Sequence, residues 1–324
     1  MARGPHGESV LEVTVPRIVP PKLRSRGSGP TARQRAVAQR TAGTILRRRV
    51  VNGFMTGVIA VAAIITTLPL LFILFHLVRA GASSLSIDFL TQMPKPVGEP
   101  HAGMANAIVG TLILLVIASA IGQPIGIGAG LYLADFRGSR LATGVRFLAD
   151  VLNGLPSIVL GIFAWQFLVR PIGHFSALAG GVALSAMMIP MITRTTEEMV
   201  RLVPAALREA ALALGYSRAR TALAVVLRTA TAGIVTGVLV AVARIAGETA
   251  PLLFTAFGNQ FWSIRLDQPT AALPLQIFAF AISPYDEWHR LAWAGALVLI
   301  AVVFVISVAA RFATRARFSS GAGD

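Results

Sequence analysis

Apolar positions in this chain do not alternate with polar ones; over long stretches they simply run on. Six stretches stand out, at residues 51–78, 105–134, 147–169, 175–192, 229–257 and 291–310. A helix needs about 20 apolar residues to cross a bilayer. The pattern therefore predicts an all-α membrane protein with six transmembrane helices. The first stretch is too long for a cleavable signal peptide and follows about fifty polar residues, so it is expected to stay in the membrane. Gln123-Pro124, residues 153–156 and Pro190 are expected to interrupt the second, third and fourth spans. The segment "AALPLQIFAFAIS", residues 271–283, is too short to cross. Packing on the spans is its expected role, with an interfacial helix or a lid as the alternatives.

The polar segments between the spans set the organisation. Residues 1–50 are rich in Arg, Pro, Gly and Ser and read as a basic, disordered tail; residues 51–313 form the transmembrane domain, and 314–324 a C-terminal tail. Lys and Arg are distributed unevenly. Eleven precede Val51, three lie in 135–146, six in 194–228 and three at the C-terminus, against five in the alternate connections. Positive charge stays inside, so both termini are expected to be cytoplasmic. Trp165, Trp262, Trp288 and Trp293 then fall near the outer boundary, where interfacial indoles are favoured.

Composition narrows the functional classes. The chain is 55% hydrophobic and 13% charged, against about 25% charged for a soluble domain. Its net charge of +15 comes from residues beside apolar spans, which favours a topological role over nucleic-acid binding. It has no cysteine, and its five histidines form no ligand-spaced pair, so no metal site is expected.

The longest internal loop, 194–228, predicts a helix over 204–214. Proline opens it, Ala and Leu fill it, and Gly215 can end it in a left-handed cap. Leu207, Ala211 and Leu214 share a face. Such a helix could seat in a groove on another protein or simply link two spans.

Arg244 and Glu248 lie within the fifth apolar stretch. A charge at the bilayer centre costs about 2.5 to 3.5 kcal/mol on insertion scales. At i and i+4 the two can pair, and Pro251 has no N–H for the Gly247 carbonyl. A guanidinium, a carboxylate and a free acceptor on one face suit an anion that still carries a proton. A salt bridge fixing helix register is the alternative. Thr249 could add a hydroxyl donor, although threonines in helices commonly bond their own backbone.

The segment "EAALALG" followed by "VVL" resembles the EAA loop of ABC-importer permeases. Glu209, Ala210, Ala211 and Gly215 match that pattern, Val225 stands for its isoleucine, Leu227 matches, and Arg228 replaces its proline. Together with "RTTEEMVRLVP" and "ARIAGETAPLLFTAF", the chain from about 102 to 310 is similar to the A-subunit branch of the Pst-type phosphate permeases. The resemblance implies the type I ABC importer permease fold in a bacterial cell membrane, with Glu209, Ala210, Ala211 and Gly215 coupling to an ATPase. It also implies a second permease subunit (Pst-type C), an ATPase dimer that binds ATP and Mg, and an extracytoplasmic phosphate-binding protein. The chain has no Gly-x4-Gly-Lys-Ser/Thr frame, so it is expected to bind no cofactor and to hydrolyse no ATP itself. Another oxyanion, molybdate or sulfate, is the alternative cargo; a stand-alone secondary transporter is the alternative class.

Overall fold

The computed structural model describes residues 32–136 and 138–319, with side-chain surroundings from 47 to 312. By internal contacts the chain divides into residues 1–69 and 70–324. Helix α1 (Ala32–Ala82) begins in the first unit. The stretch 32–50, expected to be part of a disordered tail, is therefore helical, while 1–31 and 320–324 lie outside the described residues. The second unit adds α2 (Ile87–Thr91), α3 (Ala105–Asp135), α4 (Arg140–Gly154), α5 (Ser157–Ala164), α6 (Arg170–Ile172), α7 (Ala177–Arg201), α8 (Ala205–Ala213), α9 (Arg218–Arg220), α10 (Leu227–Ala246), α11 (Ala250–Thr255), α12 (Leu273–Ala281) and α13 (Asp286–Ser319). Two π-helical segments, Trp165–Val169 and Thr221–Val226, complete the order.

Among the described residues, five helices are long and apolar enough to cross a membrane, and the bent pair of Arg140–Gly154 with Ser157–Ile172 makes a sixth if counted as one span. That third span is not the single helix expected from 147–169. It turns through 107° at Leu155-Pro156, where proline disfavours the helical conformation of the residue before it. Pro124 and Pro190, by contrast, lie inside continuous helices. A proline in a transmembrane helix is tolerated when neighbouring helices support the freed backbone, and both of these helices are heavily buried. The fourth span also runs on past 192, so the first residues of the 194–228 loop belong to α7.

The central contact is α3 on α7. Gly122, Gly126 and Gly130 line one ridge of α3 at four-residue spacing, opposite Met188, Ile192 and Thr196 on α7 at the same spacing. A Cβ at Gly126 would stand 2.8 Å from the Ile192 Cβ, and one at Gly130 would stand 2.5 Å from the Thr196 Cβ. With no hydrophobic drive between helices in lipid, close backbone approach through small residues supplies the association. Gly233 and Gly237 of α10 accommodate Met199 and Thr195 of α7 in the same way. Around these pairs gathers a core that includes Leu114, Leu184, Met188, Ile192, Ile245 and Leu252.

The loop after α11 is tied down by hydrogen bonds. The Ala177 and Leu178 N–H groups, free at the start of α7, donate to the Gln268 and Leu266 carbonyls at 2.9 and 3.0 Å. The Leu273 N–H donates to Thr111 Oγ1 at 2.8 Å. Leu273, Pro274, Leu275 and Phe280 of α12 are buried, so the short apolar segment packs on the spans. Of the loop carboxylates, Asp267 is held below its usual pKa by a hydrogen bond from Arg265, and Glu287 accepts the Gly98 N–H at 2.9 Å.

Gly130→Ala should destabilise the protein by about 1 to 3 kcal/mol, because neither the Thr196 side chain nor the Thr193 carbonyl can retreat. Gly128, one turn-face away with no heavy atom within 4 Å of a built Cβ, should accept alanine without loss. Thermal unfolding midpoints in detergent compare the two.

Candidate functional site

The fifth apolar stretch leaves the helix where Glu248 lies, at the end of the crossing helix Arg218–Ala246. Helix α10 ends at Ala246 and α11 starts at Ala250, so Gly247, Glu248 and Thr249 form the break. Pro251 stands in the first turn of α11, where its missing N–H removes no helical bond. This corrects the sequence reading, which put Arg244, Glu248 and Pro251 on one continuous helix. The Gly247 N–H donates to the Arg244 carbonyl and the Glu248 N–H to that of Ile245, which tightens the last turn. Arg244 Nε lies 3.8 Å from Glu248 Oε1, with the arginine side chain 56% exposed and the glutamate 18%.

That separation is an ion pair without a direct hydrogen bond. Among the described residues, neither side chain hydrogen-bonds to any other group. Thr249 is half-buried at the position before α11, and its hydroxyl makes no capping bond, whereas Thr255 bonds back to the Pro251 carbonyl. The break thus presents unspent guanidinium N–H donors, a carboxylate and a hydroxyl. Irregular backbone at membrane depth is tolerated only against protein or a water-filled cavity, not against lipid.

The bent third span packs beside it. Helix α5, which follows the bend at Leu155-Pro156, lies on α11, and a Cβ at Gly161 would stand 2.7 Å from the Pro251 Cα. The helices that follow the bend and the break therefore meet, with Leu160 and Leu252 in one buried cluster.

At the far end of α7 stands the short helix of the internal loop. It runs over Ala205–Ala213. Gly215 adopts φ +84°, the Tyr216 N–H bonds the Ala211 carbonyl at 3.1 Å and the Gly215 N–H that of Leu212 at 2.9 Å, a paired left-handed cap that suits glycine. Ala211 is buried, while Glu209 and Ala210 are exposed. Leu207 and Leu214, expected to share a face with Ala211, are 42% and 79% exposed. The chain returns through α9 and Thr221–Val226 straight into α10. With arginine at 228, no proline interrupts the return.

Between these ends lies a cluster that the sequence reading did not single out. The Glu197 carboxylate on α7 is buried, its side chain only 2% exposed, and three arginines surround it. Arg146 of α4 donates through Nε to Oε1 at 2.8 Å, Arg194 through Nη1 to Oε2 at 3.3 Å, and Arg201 pairs with Oε1. Arg146 also donates to the Leu133 carbonyl at 2.8 Å, and Arg194 forks onto Asp150 of α4. Helix α4 fully buries only Ala142 and Ala149, with Leu152 packed part-buried on the core, and the ion pairs of Arg146 and Asp150 add to this attachment. The available signal was a glutamate with arginines three positions before and four after it in a helical segment.

Residues 126–317 match the family described as binding-protein-dependent transport system inner membrane component. The chain belongs to that family. Members are transport components of a membrane complex, and an importer of this kind works with an ATPase and further subunits. The phosphate transport system permease protein PstA of Yersinia pestis is 48% identical over 243 residues, covering 75% of this chain and 82% of that protein. The corresponding PstA of Xylella fastidiosa is 46% identical over 267 residues, 82% and 93% of the two chains. Among solved structures, a chain of the MetNI methionine ABC transporter in an inward-facing conformation superposes with a TM-score of 0.54 over 66% of this chain and 96% of its own, at 21% identity. That likeness establishes the importer-permease fold.

In this permease the buried cluster should be essential to the fold. Glu197→Ala strands charged arginines without their common acceptor and should cost about 3 to 5 kcal/mol. Glu197→Gln keeps an acceptor and should cost less. Unfolding midpoints of the purified variants in detergent would show the order.

Proposed function

We propose that the chain is the permease subunit of an ATP-driven importer of inorganic phosphate. The identity to phosphate permeases across four-fifths of the chain carries this reading. In it, the chain supplies half of the translocation pathway and a second, related permease supplies the other half. An ATPase dimer, holding ATP and Mg, docks on the α8 side, and an extracytoplasmic phosphate-binding protein delivers cargo at the opposite mouth. The excess of Lys and Arg in the α8 loop and N-terminal segment puts them on the cytoplasmic side.

The break in the fifth span supplies the chemistry. Arg244 offers a planar fork of donors to the phosphate oxygens. Glu248 would repel a bare anion, but phosphate near neutral pH retains at least one proton and can donate it into a hydrogen bond with the carboxylate. Sulfate has no such proton and sets acceptor against acceptor. The loose 3.8 Å pairing leaves both groups able to turn to a passing anion, with the Thr249 hydroxyl beside them. Glu209, Ala210, Ala211 and Gly215 shape a small, capped helix whose exposed side fits a cleft in the ATPase subunit. Closure of the ATPase dimer moves that helix, and the attached spans alternate between outward and inward access.

The test is phosphate uptake by vesicles holding the whole complex. Arg244→Ala and Glu248→Ala should each lower uptake on the order of 30-fold or more, since each leaves its partner and the cargo without a charged contact. Glu248→Gln should narrow the preference for phosphate over sulfate. Uptake at the wild-type rate in both alanine variants would remove the break from the pathway. Uptake without any ATPase subunit would favour a stand-alone carrier instead.

A further inference from the structure

The helix that faces the ATPase in this reading is joined to α7 by a poor lever. Only Leu202, Val203 and Pro204 connect Arg201 to Ala205. Leu202 is 74% exposed, and Pro204 has no N–H with which to extend the hydrogen-bond ladder of α7. Of the three side chains, that of Val203 is the one packed into a core cluster, with Val200, Val226 and Ile234, while the Leu202 N–H bonds back to the last turn of α7. A push on α8 carried by this connector alone would turn the helix about Val203 rather than move the span behind it.

Arg208 supplies what the connector lacks. It sits one turn into α8, immediately before the exposed Glu209. One arm of its guanidinium pairs with Asp135 Oδ1, the last residue of α3. The other arm donates to the Val200 carbonyl near the end of α7 at 3.1 Å. The two side chains of the ion pair are only 26% and 28% exposed, so solvent and salt screen them incompletely. The rigid fork of arginine lets one residue of α8 hold two different spans at once. Those two spans are themselves locked along the line from Gly122 to Gly130, so a load on Arg208 falls on α3 and α7 as one body. Two residues before Asp135, the Leu133 carbonyl takes Arg146, and Arg146 with Arg201 meets Glu197. The same load therefore reaches α4 and the bend that follows it.

We infer that Arg208 is a positioning residue for transport: with Asp135 and the Val200 carbonyl it clamps the ATPase-facing helix to the α3/α7 pair and so delivers its displacement to the pathway. This rests on the phosphate-importer reading, and it assigns to Arg208 a role separate from docking, which falls to the exposed side of α8. Removal of the clamp should leave the ATPase able to bind and turn over while the spans follow it poorly. The quantity to measure is thus phosphate moved per ATP hydrolysed, which a loss of folded protein lowers in both terms together and leaves unchanged as a ratio.

The complete complex is reconstituted in sealed vesicles, and phosphate uptake and ATP hydrolysis are read from the same sample. Arg208→Ala and, separately, Asp135→Asn should lower the ratio by at least about tenfold. The chain contains no cysteine, which permits a direct repair. The double variant Asp135→Cys, Arg208→Cys should show the low ratio, and a short bis-maleimide joining the two thiols should raise it toward the wild-type value. A wild-type ratio in both single variants overturns the proposal, as does a cross-linked double variant that stays low. Failure of every variant to assemble overturns it too, because the contact would then serve folding rather than coupling. Absence of phosphate uptake by the wild-type complex would refute the importer reading itself, and is distinguishable from all of these.

Discussion

Hydrocarbon offers no hydrogen bond, and that single constraint organises the molecule. Every backbone group at membrane depth must find its partner inside the protein, so the spans are helical. Where a helix stops, the freed groups must face protein or water. The bend at Leu155-Pro156 and the break from Gly247 to Thr249 are followed by helices that pack together through Gly161 and Pro251. The same constraint governs charge. Glu197 is tolerated in a buried position because Arg146, Arg194 and Arg201 surround it, while Arg244 and Glu248 remain loosely paired at an exposed break. One carboxylate is fully engaged and holds helices together; the other, among the described residues, makes no hydrogen bond.

The backbone arrangement divides the labour between rigid and movable parts. Helices α3 and α7 meet so closely that a methyl group at Gly130 would collide with Thr196 and a backbone carbonyl. Packing of that density has few alternative arrangements and moves as a unit. Helix α4, by contrast, buries two alanines and is held by Arg146 and Asp150. Ionic attachments of this kind can be exchanged with little loss of packed area. The short helix α8 stands between the two regimes, followed by the Gly215 cap and touching the bundle through Ala211 and Arg208. Structural similarity to a methionine importer chain alongside high identity to phosphate permeases fits this division. The frame is common to importers of unlike cargo.

Much of this was legible in the sequence, for reasons that can be named. Span positions follow from the length of apolar runs, because bilayer thickness fixes the number of residues required. The α8 helix and its end follow from local chemistry, since Gly215 alone can adopt the left-handed conformation without strain. The charges Arg244 and Glu248 were conspicuous because nothing apolar explains them. What the sequence could not decide were features set by partners distant in the chain. Pro124, Pro190 and Pro156 look alike as residues, yet only the last marks a break; α3 and α7 support each other past the first two. The end of α10 at Ala246 has a local signal in Gly247, but the packing of α11 against α5 that follows it has none. Glu197 was quoted within a motif, but its role needed Arg146, which lies 51 positions earlier. Local periodicity and conformational preference act within a few residues and can be read along the chain. Charge pairing, helix breaks and close packing act between segments that only the folded molecule brings together.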